Sequence, residues 1–278
     1  MSDTAIPEAE IQHETMGRVA LIRLNRPNAL NALTYPMLAE IRRRVAEAEK
    51  DPEVTAIAIT GEGRGFCSGI DAQVLRATTE AGQSGRSAAE PNSGGRADPP
   101  GIFSYLTQVG KPVIAAVNGV AAGAGFVLAM MSDLRFGSDA ASFTTIFSKR
   151  GLIAEHGTSW VLPRLVGPGR ALDLLWSSRR VTADEALRIG LLDRIVPHEE
   201  LLPAVVAYVD DLASQISPSA IATMKSQVWR HMSEPMLPSL ADADRLTQAQ
   251  LKHPDAREGA MALIERRPPK FQAYTGGA

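Results

Sequence analysis

Two glycine-rich segments constrain the fold of this chain more than any other feature of its sequence. They cover residues 61–71 and 118–125, and each follows an apolar, β-branched run, at residues 54–60 and 112–117. Small residues at a strand-to-helix junction leave backbone N–H groups open and let a ligand approach them closely. Two such junctions facing each other would stabilise one oxygen that gains negative charge.

The pattern of apolar residues predicts an α/β core in which strands alternate with helices and pair mainly in parallel. Strands are expected over residues 18–24, 54–60, 112–117 and 193–196. Helices are expected to begin near residues 34, 158, 182 and 217, and to cover residues 125–131, 237–251 and 255–265.

The stretch from residue 77 to residue 100 is rich in Ser, Gly, Ala and Pro and has almost no large apolar residue. Such a segment buries too little surface to offset its ordering entropy, so we expect a mobile loop. It follows the first junction, where a lid would be useful. A tolerated surface insertion is an equally good interpretation.

Composition excludes several classes of protein. The net charge of −2 and the lack of basic runs argue against a nucleic-acid-binding surface. The single cysteine excludes an intrachain disulfide, and the five histidines lack the spacing of a metal site. No apolar stretch approaches the ~18 residues that span a bilayer. The first ten residues are polar and lack a signal region, so a cytoplasmic protein is expected.

Three simpler interpretations of the junctions were weighed. A dinucleotide cofactor is not favoured, because Phe66 stands where the glycine fingerprint requires glycine. Cys67 has no neighbouring base in sequence, so a buried small hydrophobic residue is favoured over a nucleophile. Residues 119–125 alone would fit tight helix-strand packing equally well, but their pairing with residues 68–71 favours a functional site.

Residues 151–158 place Glu155 and His156 among apolar residues, just before a predicted helix that carries Trp160. An acid in such a setting is partly desolvated, which suits it for proton transfer. A surface glutamate that stabilises a helix N-terminus is the alternative. The absence of any other charged residue between Gly151 and Pro163 favours the functional interpretation.

Together these segments resemble the crotonase superfamily, also called the enoyl-CoA hydratase/isomerase family, over about residues 11–271. Residues 24–33 (LNRPNALNAL) are similar to the family's first coenzyme A segment. Residues 65–71 (GFCSGID) are similar to its first oxyanion segment. The second oxyanion segment is matched by residues 111–119 (KPVIAAVNG) with residues 122–125 (AGAG).

The resemblance implies a spiral of ββα units over residues 1–200 and a helical region over residues 201–278 that forms trimers or dimers of trimers. It implies that the N–H groups of Ile70 and Ala124 form an oxyanion hole for a thioester carbonyl. The expected ligand is an acyl-CoA substrate, with no metal and no separate cofactor. The positions matched to coenzyme A contacts, the last two in a region that often acts from a neighbouring subunit, are Asn28, Ala29, Ser68, Asp71, Ala72, Lys270 and Phe271.

One departure from the family pattern bears on the chemistry. Val127 and Phe147 stand where hydratases of the family carry two glutamates, whereas Glu155 matches a position where other members carry an aspartate. We therefore expect an enolate-forming acyl-CoA enzyme with Glu155 as acid or base and His156 as its helper or mere neighbour. A one-base proton shuttle fits double-bond isomerisation best, and hydration and hydrolysis stay open. A non-catalytic acyl-CoA binder is the alternative, and a dinucleotide-dependent enzyme is a weaker one.

Overall fold

The computed structural model describes residues 9–80 and 101–276. Its larger sheet has six strands, named here by their order along the chain. Their spatial order is β1 (Ile11–Met16), β2 (Val19–Leu24), β3 (Ala56–Gly61), β5 (Val113–Val117), β7 (Leu134–Ser138) and β10 (Arg194–Val196). β1 and β2 are antiparallel, and every other neighbouring pair in this sheet is parallel.

The smaller sheet has four strands, in the order β4 (Gly65–Cys67), β6 (Val120–Ala122), β8 (Ser142–Thr144) and β9 (Val181–Thr182). β4, β6 and β8 are parallel, and β9 runs antiparallel to β8. From β3 to β8, successive strands alternate between the two sheets, and each pair is followed by a helix, namely α2 (Ala72–Glu80), α3 (Ala124–Met131) or α4 (Thr158–Val166). This repeated ββα unit is the predicted spiral.

The remaining helices are α1 (Tyr35–Lys50), α5 (Pro168–Ser177), α6 (Ala183–Ile189), α7 (Leu201–Gln215), α8 (Pro218–His231), α9 (Met236–Gln250) and α10 (Pro254–Glu265). The predicted helix starts are confirmed by their N-caps, because Thr34, Thr182 and Ser217 each accept a backbone N–H bond. The predicted start of the loop at residue 77 is wrong. Residues 77–80 complete α2, and residues 81–100 lie outside the described residues.

The inner strands β3 and β5 of the six-stranded sheet are buried on both faces, whereas the edge strands β1 and β10 are only partly buried. Along β3, Ile57 and Ile59 face the larger apolar cluster, whereas Ala56 and Ala58 face a second cluster that α7 covers. This alternation is the two-residue period of a strand. α3 is buried along its whole length, as its continuous apolar sequence predicts.

The C-terminal helices differ in how they pack. α7 buries Leu201, Val205 and Val209 against the larger sheet, whereas α8 and α9 contain no fully buried residue. Large apolar side chains are exposed on these last helices, among them Val228, Met236, Leu237 and Leu240. The division at residue 200 and the oligomer contacts stay predictions.

Candidate active site

The first junction follows β4 and is held against the chain near Leu33. The Leu33 N–H donates to the Gly69 carbonyl at 2.7 Å, and the Asp71 N–H donates to the Leu33 carbonyl at 2.9 Å. Leu33 and Ile70 therefore form a parallel β-bridge. Both hydrogen bonds to Leu33 are made by the neighbours of Ile70, namely Gly69 and Asp71. The N–H of Ile70 itself therefore points away from Leu33.

The second junction ends at the start of α3. Gly123 is the N-cap, with φ of 52° and ψ of −118°, and Ala124 is the first helical residue. The first N–H groups of a helix have no acceptor within the helix, and they lie at the positive end of its dipole. The Gly123 N–H already has an acceptor within the fold, because it donates to the Thr144 carbonyl at 3.3 Å.

The two junctions are in direct contact, and only small residues fit between them. Gly69 has φ of +107°, and a Cβ on it would lie 3.1 Å from the Ala122 carbonyl oxygen and 3.5 Å from the Ala124 nitrogen. A Cβ on Gly125 would lie 2.1 Å from the Cys67 carbonyl oxygen. The glycines therefore allow an approach that a side chain would prevent.

Two buried asparagines hold the loop between β3 and β4. The Asn31 side chain donates to the carbonyls of Glu62 and Gly65, at 2.9 and 2.7 Å. Asn118 donates to the Gly63 carbonyl at 2.8 Å and accepts from the Gly61 N–H at 3.1 Å. Sequence reasoning missed both roles. The sequence offers little signal for them, because only Asn118 adjoins a glycine-rich segment and Asn31 lies far before the other one.

Five of the positions matched to coenzyme A lie together beside the first junction. The Ser68 hydroxyl donates to the Ala29 carbonyl at 3.0 Å, and Asn28 belongs to the same short turn as Ala29. The Asp71 carboxylate accepts from the Gln73 N–H, and Ala72 begins α2.

Asp71 is held as an anion by its surroundings. The Gln73 N–H bond and the Arg26 guanidinium, 3.0 Å away, lower the pKa of the Asp71 carboxyl. The Arg26 side chain also donates to the Ala32 carbonyl at 2.7 Å. Arg26, which sequence reasoning did not single out, thus ties residues 26–32 to the first junction.

Lys270 and Phe271 lie at the opposite end of the larger sheet in this chain. They line a cavity of about 240 Å³ with Val54, Lys111 and Pro112, which precede β3 and β5. The first junction follows the other end of β3, and a six-residue strand is about 20 Å long. The structure therefore does not bring these two residues to the other five within one chain.

Glu155 and His156 lie in the turn that precedes α4. The Glu155 carbonyl accepts from the Thr158 N–H at 3.0 Å and from its hydroxyl at 2.7 Å. Both side chains are half-buried, but the neighbouring Ile153 is 82% exposed, so the turn is less enclosed than its apolar sequence suggests. Burial lowers the pKa of His156, and the charge of Glu155 partly opposes that shift.

Val127 and Phe147 are both buried in the main apolar cluster. The prediction for Cys67 is confirmed, since the residue is fully buried and burial raises the pKa of its thiol to about 12. Among residues 9–80 and 101–276, no group of three or more His, Cys, Asp or Glu side chains could hold a metal ion. No helix in the described part of the chain is long and apolar enough to cross a membrane.

Comparison with known proteins gives consistent results. The family model described as enoyl-CoA hydratase/isomerase matches residues 14–274. A protein described as a probable enoyl-CoA hydratase, from Mycobacterium leprae, is 37% identical over 254 residues, covering 91% of this chain and 94% of its own. Another protein of that description, from Rhodobacter capsulatus, is 34% identical and covers 94% and 97%.

Solved structures agree with these sequence relatives. An enoyl-CoA hydratase structure from Geobacillus kaustophilus has a TM-score of 0.82 and 32% identity, covering 95% of this chain and 98% of its own. A putative enoyl-CoA hydratase structure from Streptomyces coelicolor has the same TM-score and identity, covering 98% and 99%. With the ββα spiral and the paired glycine junctions, these matches show that the chain belongs to the enoyl-CoA hydratase/isomerase family of the crotonase superfamily.

Proposed function

We propose that this protein is an acyl-CoA enzyme that stabilises a thioester enolate between the two glycine junctions. The observation that carries the proposal is the contact between Gly69 and the start of α3. This contact supports a pairing of the outward N–H of Ile70 with the first-turn N–H of Ala124. Two backbone donors aimed at one oxygen stabilise the negative charge that develops when a proton leaves the carbon beside a thioester carbonyl.

Glu155 is the proposed acid or base. It is half-buried beside α4, and the two positions that carry glutamates in hydratases of the family are here Val127 and Phe147. With one carboxylate, double-bond isomerisation is the reaction that fits best, because the same group removes a proton and returns it. His156, kept mainly neutral by its lowered pKa, is proposed as a hydrogen-bonding helper.

Coenzyme A is proposed to bind along Asn28, Ala29, Ser68, Asp71 and Ala72 as part of the substrate, with no separate cofactor. Lys270 and Phe271, at the far end of the sheet, are proposed to contact it from a second copy. A homotrimer or a dimer of trimers would supply that copy. The exposed apolar side chains of α8 and α9 support such contacts.

The proposal is tested by Glu155→Gln against a panel of enoyl-, dienoyl- and β-keto-acyl-CoAs. Turnover of the wild-type substrate should fall by about 1,000-fold, because the amide cannot accept or return a proton. Glu199→Gln, at an exposed glutamate of the same chemistry, should turn over at the wild-type rate. Unchanged turnover by Glu155→Gln would show that another group moves the proton.

The products on the same panel separate the reaction classes. Isomerisation moves a double bond without releasing free thiol, hydration removes the enoyl absorbance, and hydrolysis of the thioester releases coenzyme A. A hydrolase of the same fold that cleaves a C–C bond is recognised by a shortened acyl product.

A non-catalytic acyl-CoA binder is the second candidate, because Val127 and Phe147 offer no proton-transferring group. Exchange of the protons beside the thioester carbonyl with deuterated water distinguishes the two. The enzyme should catalyse exchange for at least one acyl-CoA of the panel. Tight binding of many acyl-CoAs with neither exchange nor turnover would favour the binder.

A further inference from the structure

A cavity of about 460 Å³ lies on the side of the smaller sheet that faces away from the core. Side chains along a strand alternate between faces, so Val120 and Thr144 project from one face and Phe143 projects into the core. The apolar part of the cavity is lined by Leu30, Val120 and Ile146. Neither proposed catalytic side chain lines this cavity.

The polar rim of the cavity is positively charged. Arg64, Lys149 and Arg180 line it, and no acidic side chain of the described residues does. Within residues 9–80 and 101–276 none of the three forms an ion pair or a side-chain hydrogen bond. All three side chains are solvent-exposed, and an anion held between them would be attracted by all three charges.

A buried hydroxyl provides an independent observation. Ser142 is 2% exposed, and its Oγ has no hydrogen-bond partner among the described residues. Ser142 pairs with Val120 in the sheet and precedes Thr144 by two residues, so its side chain projects toward the cavity face. A buried polar atom without a partner is costly. Ser142 lies behind the lining residues rather than among them, so its hydroxyl bonds to an occupant only if the cavity deepens when it is filled.

We propose that this cavity binds a small amphipathic anion, separately from the acyl-CoA site. Its charged head, a carboxylate or a phosphate, contacts Arg64, Lys149 and Arg180, and its apolar body packs on Leu30, Val120 and Ile146. Ile146 also packs 3.2 Å from the Cβ position of Gly123, and Leu30 packs 3.2 Å from that of Gly65. The occupant therefore contacts side chains that support both junctions, without being a reactant there.

Calorimetric titration of the full chain with decyl phosphate, decanoate, 1-decanol and inorganic phosphate tests this site. At least one decyl anion should bind about tenfold more tightly than both 1-decanol and inorganic phosphate, since it alone carries both parts. The preference between decyl phosphate and decanoate identifies the head group. Equal affinity for 1-decanol, or no binding of either decyl anion, overturns the proposal.

The variant with Arg64→Gln, Lys149→Gln and Arg180→Gln should lose about tenfold or more of that affinity. A control variant with Lys50→Gln, Arg188→Gln and Lys252→Gln has the same net charge and should keep it. Ser142→Ala, which keeps all three cations, should weaken binding about threefold. Unchanged affinity in the first variant overturns the proposal, as does displacement of the decyl anion by coenzyme A. Because only binding is measured, failure here is distinguishable from failure of the enolate mechanism.

Discussion

The two ends of β3 and β5 treat polar groups in opposite ways. At the carboxyl ends, the buried, uncharged amides of Asn31 and Asn118 hold backbone carbonyls beside the N–H groups of Ile70 and Ala124, which are the proposed oxyanion donors. At the amino ends, buried charged side chains are held by ion pairs and hydrogen bonds. Lys225 is bonded to Asp133 at 2.6 Å, and the buried Lys111 ammonium donates to two backbone carbonyls.

We interpret this difference as one of purpose: the bonds at the carboxyl ends position the proposed oxyanion donors, whereas those at the amino ends only stabilise the fold. Open donors are useful only if their loop is rigid, and buried neutral amides supply that rigidity without a charge that would compete for the substrate oxygen. The amino ends face no proposed chemistry in this chain, so strong charged bonds can close them. Changes at the carboxyl ends should therefore affect turnover, whereas changes to the Lys225–Asp133 pair at the amino ends, which lines no proposed binding site, should affect only stability.

The largest effect is expected for Asn31→Ala. The change removes the side-chain donor of the Glu62 carbonyl and leaves the Gly65 carbonyl with only the longer bond from Asn118, at 3.3 Å. It also puts alanine, which has no side-chain amide, in the left-handed region at φ of 57°. The free energy of unfolding should fall by about 4 kcal/mol in urea titrations, with lower turnover per folded molecule. Asn31→Gly keeps the conformation accessible and should lose about 3 kcal/mol. A loss below about 1 kcal/mol in both variants would show that these bonds do not hold the loop.

Lys225→Met tests the charged bonds at the amino ends of β3 and β5. Asp133 would keep its bonds from the Val113 N–H and the Trp229 indole but lose its ammonium partner. Breaking a buried pair should lower the free energy of unfolding by about 3 kcal/mol, measured by urea titration. The control Lys252→Met, at an exposed lysine, should have almost no effect. A marked drop in turnover per folded Lys225→Met molecule would remove the contrast between the two ends.

Gly69→Ala tests the contact between the junctions. The added Cβ lies 3.1 Å from the Ala122 carbonyl oxygen and forces the two donors apart. We expect kcat to fall by about 100-fold on the substrate identified by the panel. Gly169→Ala is the matched control, because nothing lies within 4 Å of its Cβ position. Wild-type kcat for Gly69→Ala would contradict the proposed oxyanion hole.

The smallest expected effect is a pH dependence at Lys111. Burial lowers the pKa of its ammonium from 10.5 to about 8, with the charges of Asp51 and Glu49 opposing the shift. Between pH 8 and 10.5 the unfolded chain binds this proton more strongly, so stability should rise with pH in that window. The free energy of unfolding of the wild type relative to Lys111→Met should increase by about 2 kcal/mol from pH 8 to 10. No increase would show that the two carbonyl bonds offset the burial.

Much of the fold could be predicted from local pattern. The apolar runs of β3 and β5, the capped start of α1 and the continuously apolar α3 all depend on neighbours in sequence. The two-residue β9 and the three-residue β4 and β8 were not predicted as strands. Segments that short are stabilised by partners distant in sequence rather than by their own composition.

The residues of the candidate site also differ in how far the sequence alone could predict them. The glycine segments and Glu155 carry a local signal, since small residues and an isolated acid stand out in the sequence. The buried asparagines Asn31 and Asn118 carry almost no such signal. In the sequence, an asparagine that bonds to water cannot be distinguished from one that bonds to a buried carbonyl. Lys270 and Phe271 show the limit most clearly, because the family resemblance groups them with five positions that lie at the other end of the sheet within one chain.

By itself, the sequence determined that strands end in small residues at two places and that helices follow, because backbone conformation and helix capping depend on adjacent residues. Only the tertiary structure decided that these two places touch, that buried amides hold them and that three unpaired cations surround one cavity. Such contacts join residues far apart in the chain. Their formation depends on the packing of two sheets rather than on any local preference.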